Sequence, residues 1–583
     1  MGDAAEKARA FLKEERAFRL GTLLTESSHP KTQNLSQTIE ADVRSGIRQL
    51  LSVDEDIAQE ADHLFAQDGY ARLIEAFSRA MRAGRQIFFT GCGATGRLSI
   101  LMEAAWRRFW DEMKPLAPDA PKMWPLCISV MAGGDFALIK SVEGFEDFPD
   151  FGRHQLREAG VQAGDVVVAI TEGGETPFVI GTAWEGLDRG AEIFFVYSNP
   201  TALLAEHVER SRQIIEEPRI VKLDLTTGPM AITGSTRMQA TTAELLVVGA
   251  AMETAIIRWL QDRQPQLAPD LRTPEEYARL FRKLLSDLST AAAVESLSRL
   301  TQFEEAIYRK HGLVTYVADT LLLDVLTDTT ERSPTFMVPP FRKDGDTHLP
   351  VSWAFVKDPR RPTEQAWEQM LQRPPRGLRW GPETYRQLNA PPRIQANRPK
   401  LDNAEIHRFR IGNEPDASRT EAAASALVAV GLCDEVKWAR PIPMQFERTA
   451  TITIGSEKPA LDVDEHFHFT CELPASPVHL WEHLAIKLVL NTVSTATMVR
   501  MGRVIGNAMV WLSPSNKKLI DRGTRLISQV TGCSYEHACE ILHQTIEEVA
   551  SISQRGEEAP SPVALAIERI SCSPHGSSRA NCC

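Results

Sequence analysis

Four loops in the first half of the chain carry the residue types that hold oxyanions. The first, Gly91-Cys92-Gly93-Ala94-Thr95-Gly96-Arg97, follows the apolar run Ile87-Phe88-Phe89 and precedes Leu98–Trp106 at helical spacing. Strand, glycine turn and helix in that order leave free backbone N–H groups and the positive end of a helix dipole at one point. A phosphate is bound there by geometry rather than by a dedicated cation. The loop departs from GxxxxGK[ST]. Gly91-x-Gly93-x-x-Gly96 matches GxGxxG, but no acidic residue follows a second strand at the expected distance. Taken alone, it also fits a tight βα turn that holds no ligand.

The second loop, Ser141-Val142-Glu143-Gly144-Phe145-Glu146-Asp147, supplies carboxylates. The third, Thr171-Glu172-Gly173-Gly174-Glu175-Thr176-Pro177, is another strand–glycine–helix turn with Pro177 near the first helical position. The fourth, Thr233-Gly234-Ser235-Thr236-Arg237-Met238, sets hydroxyls ahead of a helix. A sugar phosphate needs this combination, because its dianion takes many neutral donors and its ring hydroxyls take a carboxylate. Each hydroxyl loop alone also fits an ordinary N-cap. The set together describes a site.

The elements that must position these loops are βα units. Near-continuous apolar runs at Ile87–Thr90, Leu126–Met131, Val166–Ile170, Ile193–Tyr197 and Val221–Leu225 predict parallel strands covered on both faces. They imply a doubly wound α/β domain with ligands at the carboxyl ends of the strands. Helical spacing runs from Ala41 to Ala83, closed by Gly84, and Pro30 keeps the preceding Thr25–Leu35 irregular. A helical region reaches Lys310, and a second α/β domain opens at Gly312–Ala318 without a glycine turn. Further strands are expected at Ile406–Ile411, Val436–Trp438 and Thr451–Ile454, a helix over Leu480–Val510, and a helical appendage over Ser515–Ser551. Ala243–Val248 and Ala485–Leu490 echo one another faintly, as duplicated domains would. The expected division is an arm at 1–40, a first domain at 41–262, a second at 263–512 with a Pro- and Arg-rich excursion at 339–399, and an appendage with a frayed tail at 513–583.

Composition narrows the function classes. The 583 residues carry a net charge of −12 and no basic stripe, which argues against nucleic acid or an anionic membrane as partner. The apolar stretch Leu245–Ile257 is broken by Glu253 and too short for a bilayer. Nine cysteines are scattered without metal-ligand or disulfide spacing, and no signal-peptide pattern opens the chain, so a reducing cytoplasm is expected. No cofactor or metal is expected.

The ordered set of motifs resembles the family of N-acetylmuramic acid 6-phosphate etherases and glucokinase regulatory proteins, built from sugar isomerase (SIS) domains. The resemblance rests on Thr25-Glu26 with His29-Pro30, Gly91–Arg97, Ala132-Gly133-Gly134, Val142–Asp147, Thr176–Ile180, Ser198-Asn199-Pro200 and Thr233–Met238. It continues late in the chain through Lys487–Thr495, Gly502–Val510 and Ser515-Asn516-Lys517-Lys518-Leu519, while 311–480 fits poorly. It implies two SIS domains, the second degenerate. It also implies ligand contacts from Gly93, Ala94, Thr95, Gly96, Arg97, Glu143, Glu146, Gly173, Gly174, Thr176, Ser235, Thr236 and Arg237, with the late Lys487 reaching the phosphate.

The tandem arrangement resembles the regulatory branch, which implies a sensor of a hexose, hexosamine or muramic acid 6-phosphate with a sugar kinase as protein partner. The alternative is a carbon–oxygen lyase in which Glu146 is catalytic. Against turnover, Ala105 stands where the etherases carry their second carboxylate, and Glu103 is rotated from it by about 200° on a helix. Ala94, Gly173 and Leu245 likewise replace two hydroxyl residues and a lysine of the etherase pattern. An aldose–ketose isomerase is disfavoured, because no histidine lies in the site loops.

Overall fold

A computed structural model describes residues 2–142, 144–433, 435–436, 445–461, 463–553 and 559–572. The chain begins with helix α1 (Gly2–Glu14) and three short 3₁₀ turns, one of them opened by Pro30. Helices α2 (Val43–Ala66) and α3 (Asp68–Ala83) follow, the second ended by Gly84 at φ 64°. The first sheet then alternates strand and helix: β1 (Ile87–Gly91), α4 (Gly93–Met113), β2 (Cys127–Met131), β3 (Val166–Ile170), α5 (Pro177–Asp188), β4 (Glu192–Tyr197) and β5 (Ile220–Asp224). All strands are parallel in the order β2-β1-β3-β4-β5. The switch in order falls at β1, between β2 and β3, so a crevice opens at the carboxyl ends of β1 and β3. The glycine turn and the Thr171–Pro177 loop both leave from that crevice.

Helix α6 (Gln239–Arg263) crosses to the second half; it is apolar enough to span a membrane, yet its apolar stretch is wholly buried, as in a core helix. The second half repeats the topology. Strands β6 (Leu313–Ala318), β7 (Ala354–Lys357), β8 (Ser425–Leu432), β9 (Arg448–Gly455) and β10 (Glu465–Thr470) pair in parallel as β7-β6-β8-β9-β10, with helix α7 (Leu322–Phe336) after β6. Helix α8 (Leu480–Arg500) takes the place of α6. The two meet so closely that a Cβ on Gly249 would lie 2.7 Å from Leu480 Cδ1. Helices α9 (Lys517–Thr531), α10 (Tyr535–Ser553) and α11 (Pro562–Cys572) close the described chain.

The expected strand at Ile406–Ile411 is instead a helical turn, Asn403–His407, capped by the Asp402 carboxylate on the Glu405 amide. The excursion at 339–399 holds β7 and three short helices. Helix α8 stops at Arg500 rather than Val510, and the tail is helical to Cys572, with Val563 and Ala566 buried. Of the expected strand Val436–Trp438, only Val436 belongs to the described residues, in a short turn.

Part of the excursion straps the two halves together. Arg373 and Arg376 converge on the Glu103 carboxylate, and Arg373 Nη1 lies 2.5 Å from Asp135 Oδ2. Trp380 stacks on Phe145 with ring centroids 5.5 Å apart, which fixes the loop that carries Glu146.

Candidate functional site

The glycine turn is built by close approach. A Cβ on Gly91 would sit 2.5 Å from the Thr95 carbonyl carbon, and one on Gly96 2.6 Å from Met131 Cγ. Gly93 has φ +52° with nothing within 4 Å of its Cβ position, so the start of α4 presents its backbone to open space. The first turn of a helix leaves its N–H groups without intrahelical partners. The Thr95 hydroxyl closes the turn itself, accepting from the Cys92 amide at 3.0 Å and donating to the Cys92 carbonyl at 2.9 Å. Arg97 points away from the turn, its Nη1 2.5 Å from Glu331 Oε1 and its Nε 3.2 Å from the Leu138 carbonyl.

A cavity of about 140 Å³ lies against this turn. Cys92 and Gly93 form one wall and Lys140–Val142 with Glu146 a second; Ser333 and Pro334 of α7 form a third, and Ser513, Ser515 and Asn516 the fourth. Asn516 joins two elements: its Oδ1 caps α9 by accepting from the Leu519 amide at 2.8 Å, and its Nδ2 donates to Glu146 Oε1. Burial, reinforced by the neighbouring Asp147, lifts the Glu146 carboxyl to about 7, with Lys518 opposing. Glu172, at the carboxyl end of β3, is also lifted to about 7 by burial, although Lys518 and a hydrogen bond from Thr236 favour its charged form.

Lys518 is the cation that answers these carboxyls. Its Nζ lies 2.7 Å from Glu175 Oε1 and 3.5 Å from where a Cβ on Gly173 would stand. Burial disfavours its charge, but Glu175 and Glu26 outweigh that and raise its pKa. Glu175 is held down to about 2 despite burial, by Lys518 and by Arg210 at 2.5 Å. Beside it, Glu26 takes Arg522 Nη2 at 2.5 Å and Arg525 Nη2 at 2.7 Å.

The sequence model of the glucokinase regulatory protein N-terminal SIS domain matches residues 70–185. An N-acetylmuramic acid 6-phosphate etherase of Synechococcus sp. (strain CC9605) is 31% identical over 286 residues, 49% of this chain and 81% of the relative. That of Streptomyces coelicolor is 28% identical over 281 residues, 48% of this chain and 82% of the relative. The chain belongs to this SIS-domain family. Among solved structures it is similar to the C-terminal domain of glucosamine-fructose-6-phosphate aminotransferase from Francisella tularensis, at 10% identity and a TM-score of 0.45 over 78% of this chain and 95% of that one.

The expected ligand set of this SIS-family chain divides between two places. Gly93 and Glu146 line the cavity just described, whereas Gly173 stands beside Lys518 and Thr236 beside Glu172. Glu143 lies outside the described residues. Gly174, at φ +71°, packs on Leu204, and the Thr176 hydroxyl bonds Thr171 Oγ1 at 2.9 Å. Ser235 is buried in the turn ahead of α6, its amide on the Ile232 carbonyl.

Ala94, Arg97, Arg237 and Lys487 instead line a separate cavity of about 50 Å³ between the halves, with Asp328 and Glu331. Arg237 there bonds Ser494 Oγ at 2.6 Å and Asp328 at 3.3 Å. Lys487 donates to the Arg237 and Met238 carbonyls, Thr242 Oγ1 and Asn491 Oδ1, all within 3.1 Å, and burial lowers its pKa to about 7. Lys487 is therefore a joint between α6 and α8, and it lines the cavity between the halves rather than the one beside Gly93. Lys140 lines the cavity beside Gly93, and the cation set against its neighbouring carboxyls is Lys518. Its sequence signal was the Ser515–Leu519 motif, in which Asn516 caps a helix. Glu172 was also passed over as a ligand candidate. Ala105 is buried in α4, about 18 Å from Gly93 at 1.5 Å per residue.

Proposed function

We propose that the cavity between Gly93 and Glu146, with Lys518 set against its carboxyl, binds a sugar 6-phosphate of the hexose, hexosamine or muramic acid type. The observation that carries this reading is a cavity where a bare helix N-terminus meets the Glu146 carboxyl and Lys140, with the half-buried Lys518 set against the same carboxyl. Helix amides and lysine suit the dianion, and the carboxyl suits the ring hydroxyls. The tandem halves favour a sensor that regulates amino-sugar or hexose phosphate metabolism, with a sugar kinase as its protein partner. Occupancy of a cavity walled by both halves and by the helix carrying Lys518 would alter how those parts sit together. Titration calorimetry with fructose, glucosamine and N-acetylmuramic acid 6-phosphates, each against its unphosphorylated sugar, tests the binding. Equal affinity for both forms would overturn it.

A second reading is a lyase of the kind named for the etherase relatives. Its support is Glu146, whose carboxyl is lifted to about 7 and so can take a proton at neutral pH. Release of D-lactate from N-acetylmuramic acid 6-phosphate decides between the two.

A further inference from the structure

We infer that a second pocket, outside the sugar-phosphate cavity, binds an amphipathic anion: an aromatic or alkyl body with a carboxylate, sulfonate or phosphate ester at one end. The pocket measures about 490 Å³ and lies where the Pro- and Arg-rich excursion, with the turn after it, folds over the first half. That volume encloses a small organic molecule. Its floor is apolar and buried. Phe136 of the first half meets Phe409 with ring centroids 5.8 Å apart, beside Phe341, Ile394 and Leu401. Leu349, 45% exposed, stands at the rim.

Rigid walls keep this pocket open. Pro340 and Pro399 fix the backbone at two points of the lining. The Asp344 amide donates to the Arg408 carbonyl at 2.7 Å, and Lys343 Nζ lies 2.5 Å from Glu405 Oε2. These bonds tie the loop carrying Leu349 to the turn carrying Phe409.

Charge selects the occupant. Four cations, Lys140, Lys343, Arg393 and Lys400, line the pocket against one acid, Asp346, in a chain of net charge −12. The Asp346 carboxylate is turned onto its own loop, accepting the His348 and Leu349 amides at 2.9 and 3.3 Å. Lys343 is taken by Glu405. Lys140, Arg393 and Lys400 are exposed and form no ion pair among the described residues. A sugar phosphate has no apolar body for the floor, and a neutral hydrocarbon gains nothing from the cations. An anion with an apolar body uses both.

The two pockets share a wall, because Lys140, Ser141 and Val142 line each of them. Their coupling rests on the sugar-phosphate reading. Lys140 can answer one anion at a time, and two anions across one short wall repel. The ligands should therefore antagonise one another, each lowering the other's affinity by the same factor.

The test uses the full chain, with anilinonaphthalene sulfonate as probe and phenylnaphthylamine, the same rings without the sulfonate, as neutral control. Melting temperature is followed for each variant. Fluorescence titration should show one saturable sulfonate site. Arg393→Gln combined with Lys400→Gln should weaken the sulfonate about tenfold and leave the neutral control unchanged. Leu349→Glu, which puts a carboxylate at the exposed rim, should weaken the sulfonate too. Fructose 6-phosphate should weaken it roughly five- to tenfold, and calorimetry should show the sulfonate weakening fructose 6-phosphate by that same factor. Sulfonate binding that is equal in wild type and in both variants would mean adventitious dye binding elsewhere, and would overturn the site. Sulfonate binding that is weakened in the variants yet indifferent to a fructose 6-phosphate that does bind would overturn the coupling. If no 6-phosphate binds, the sugar-phosphate reading and the coupling both fall, while the pocket itself still stands or falls on the variants.

Discussion

Replacing Lys518 with methionine keeps the length and apolar stem of the side chain and removes only its charge. Lys518 Nζ sits 2.7 Å from Glu175 Oε1, with Glu146, Glu172 and Glu26 also bearing on it. A charge-assisted hydrogen bond to a bound dianion is worth about 1.5–3 kcal/mol, so affinity for a sugar 6-phosphate should fall roughly ten- to 150-fold. The unphosphorylated sugar should bind as before. Stability should fall as well: breaking a buried pair costs about 3–5 kcal/mol, but Arg210 stays 2.5 Å from Glu175, so about 2–3 kcal/mol is expected. Losing the cation also pushes the Glu146 and Glu172 carboxyls further up, because Lys518 now opposes their rise. Calorimetry with fructose 6-phosphate and fructose, beside urea melts of both proteins, reads all of this. An unchanged dissociation constant for the phosphorylated sugar, or equal losses for both sugars, would refute the assignment of Lys518 to the phosphate.

Lys487→Ala should leave that dissociation constant unchanged but lower stability by about 1–3 kcal/mol, since it orphans carbonyls at the start of α6; urea denaturation measures it. Thr95→Ala should act the same way, costing about 1 kcal/mol through the helix start rather than through the ligand, so its melting curve should shift while its binding isotherm does not. Stability should pass through a maximum near pH 5. Arginine or lysine neighbours outweigh burial and hold Glu26, Glu103 and Glu175 down to about 2, so their contribution is present above the unfolded value of about 4.3 and is lost as pH falls toward 2. Burial lifts Asp54, Glu146 and Glu172 to about 7, so the folded state binds the extra protons and loses that advantage as pH rises from about 4 through 7. A urea midpoint that climbs steadily from pH 5 to 7 would contradict these assignments.

The first sheet was legible because each of its strands is an unbroken apolar run buried on both faces, as in Val166–Ile170. The second sheet was harder to read. β7 is only Ala354–Lys357 inside a Pro- and Arg-rich stretch, and in β10 buried Phe467 and Phe469 alternate with the less buried His466 and His468. Ile406 and Ile411 are both fully buried, which resembles a strand, but the Asp402 cap winds the chain between them into a helical turn. At the site, sequence could mark the glycine turn and Glu146, since each is local. The resemblance put Lys487 at the phosphate, while Lys518, also on a helix, entered only as part of the Ser515–Leu519 motif. Only the pairing of Lys518 with Glu175, 343 positions away, separates them.

The wall formed by Ser513, Ser515 and Asn516, with Lys518 behind it, bears on how the protein comes into being during synthesis. Glu26, Glu146 and Glu175 leave the ribosome early, yet the side chains that answer them come from α9 and the segment before it. Until that late segment emerges, the first sheet can form while its crevice holds unanswered acids. A chain ended before the cap of α9 would lack Asn516, Lys518 and Arg522, the groups set against Glu146, Glu175 and Glu26. Helix α1 would wait in the same way for α10, where Ala8 and Phe11 bury against Cys539. The α9–α10 segment thus ties helix α1 and the first sheet's crevice into one folding unit.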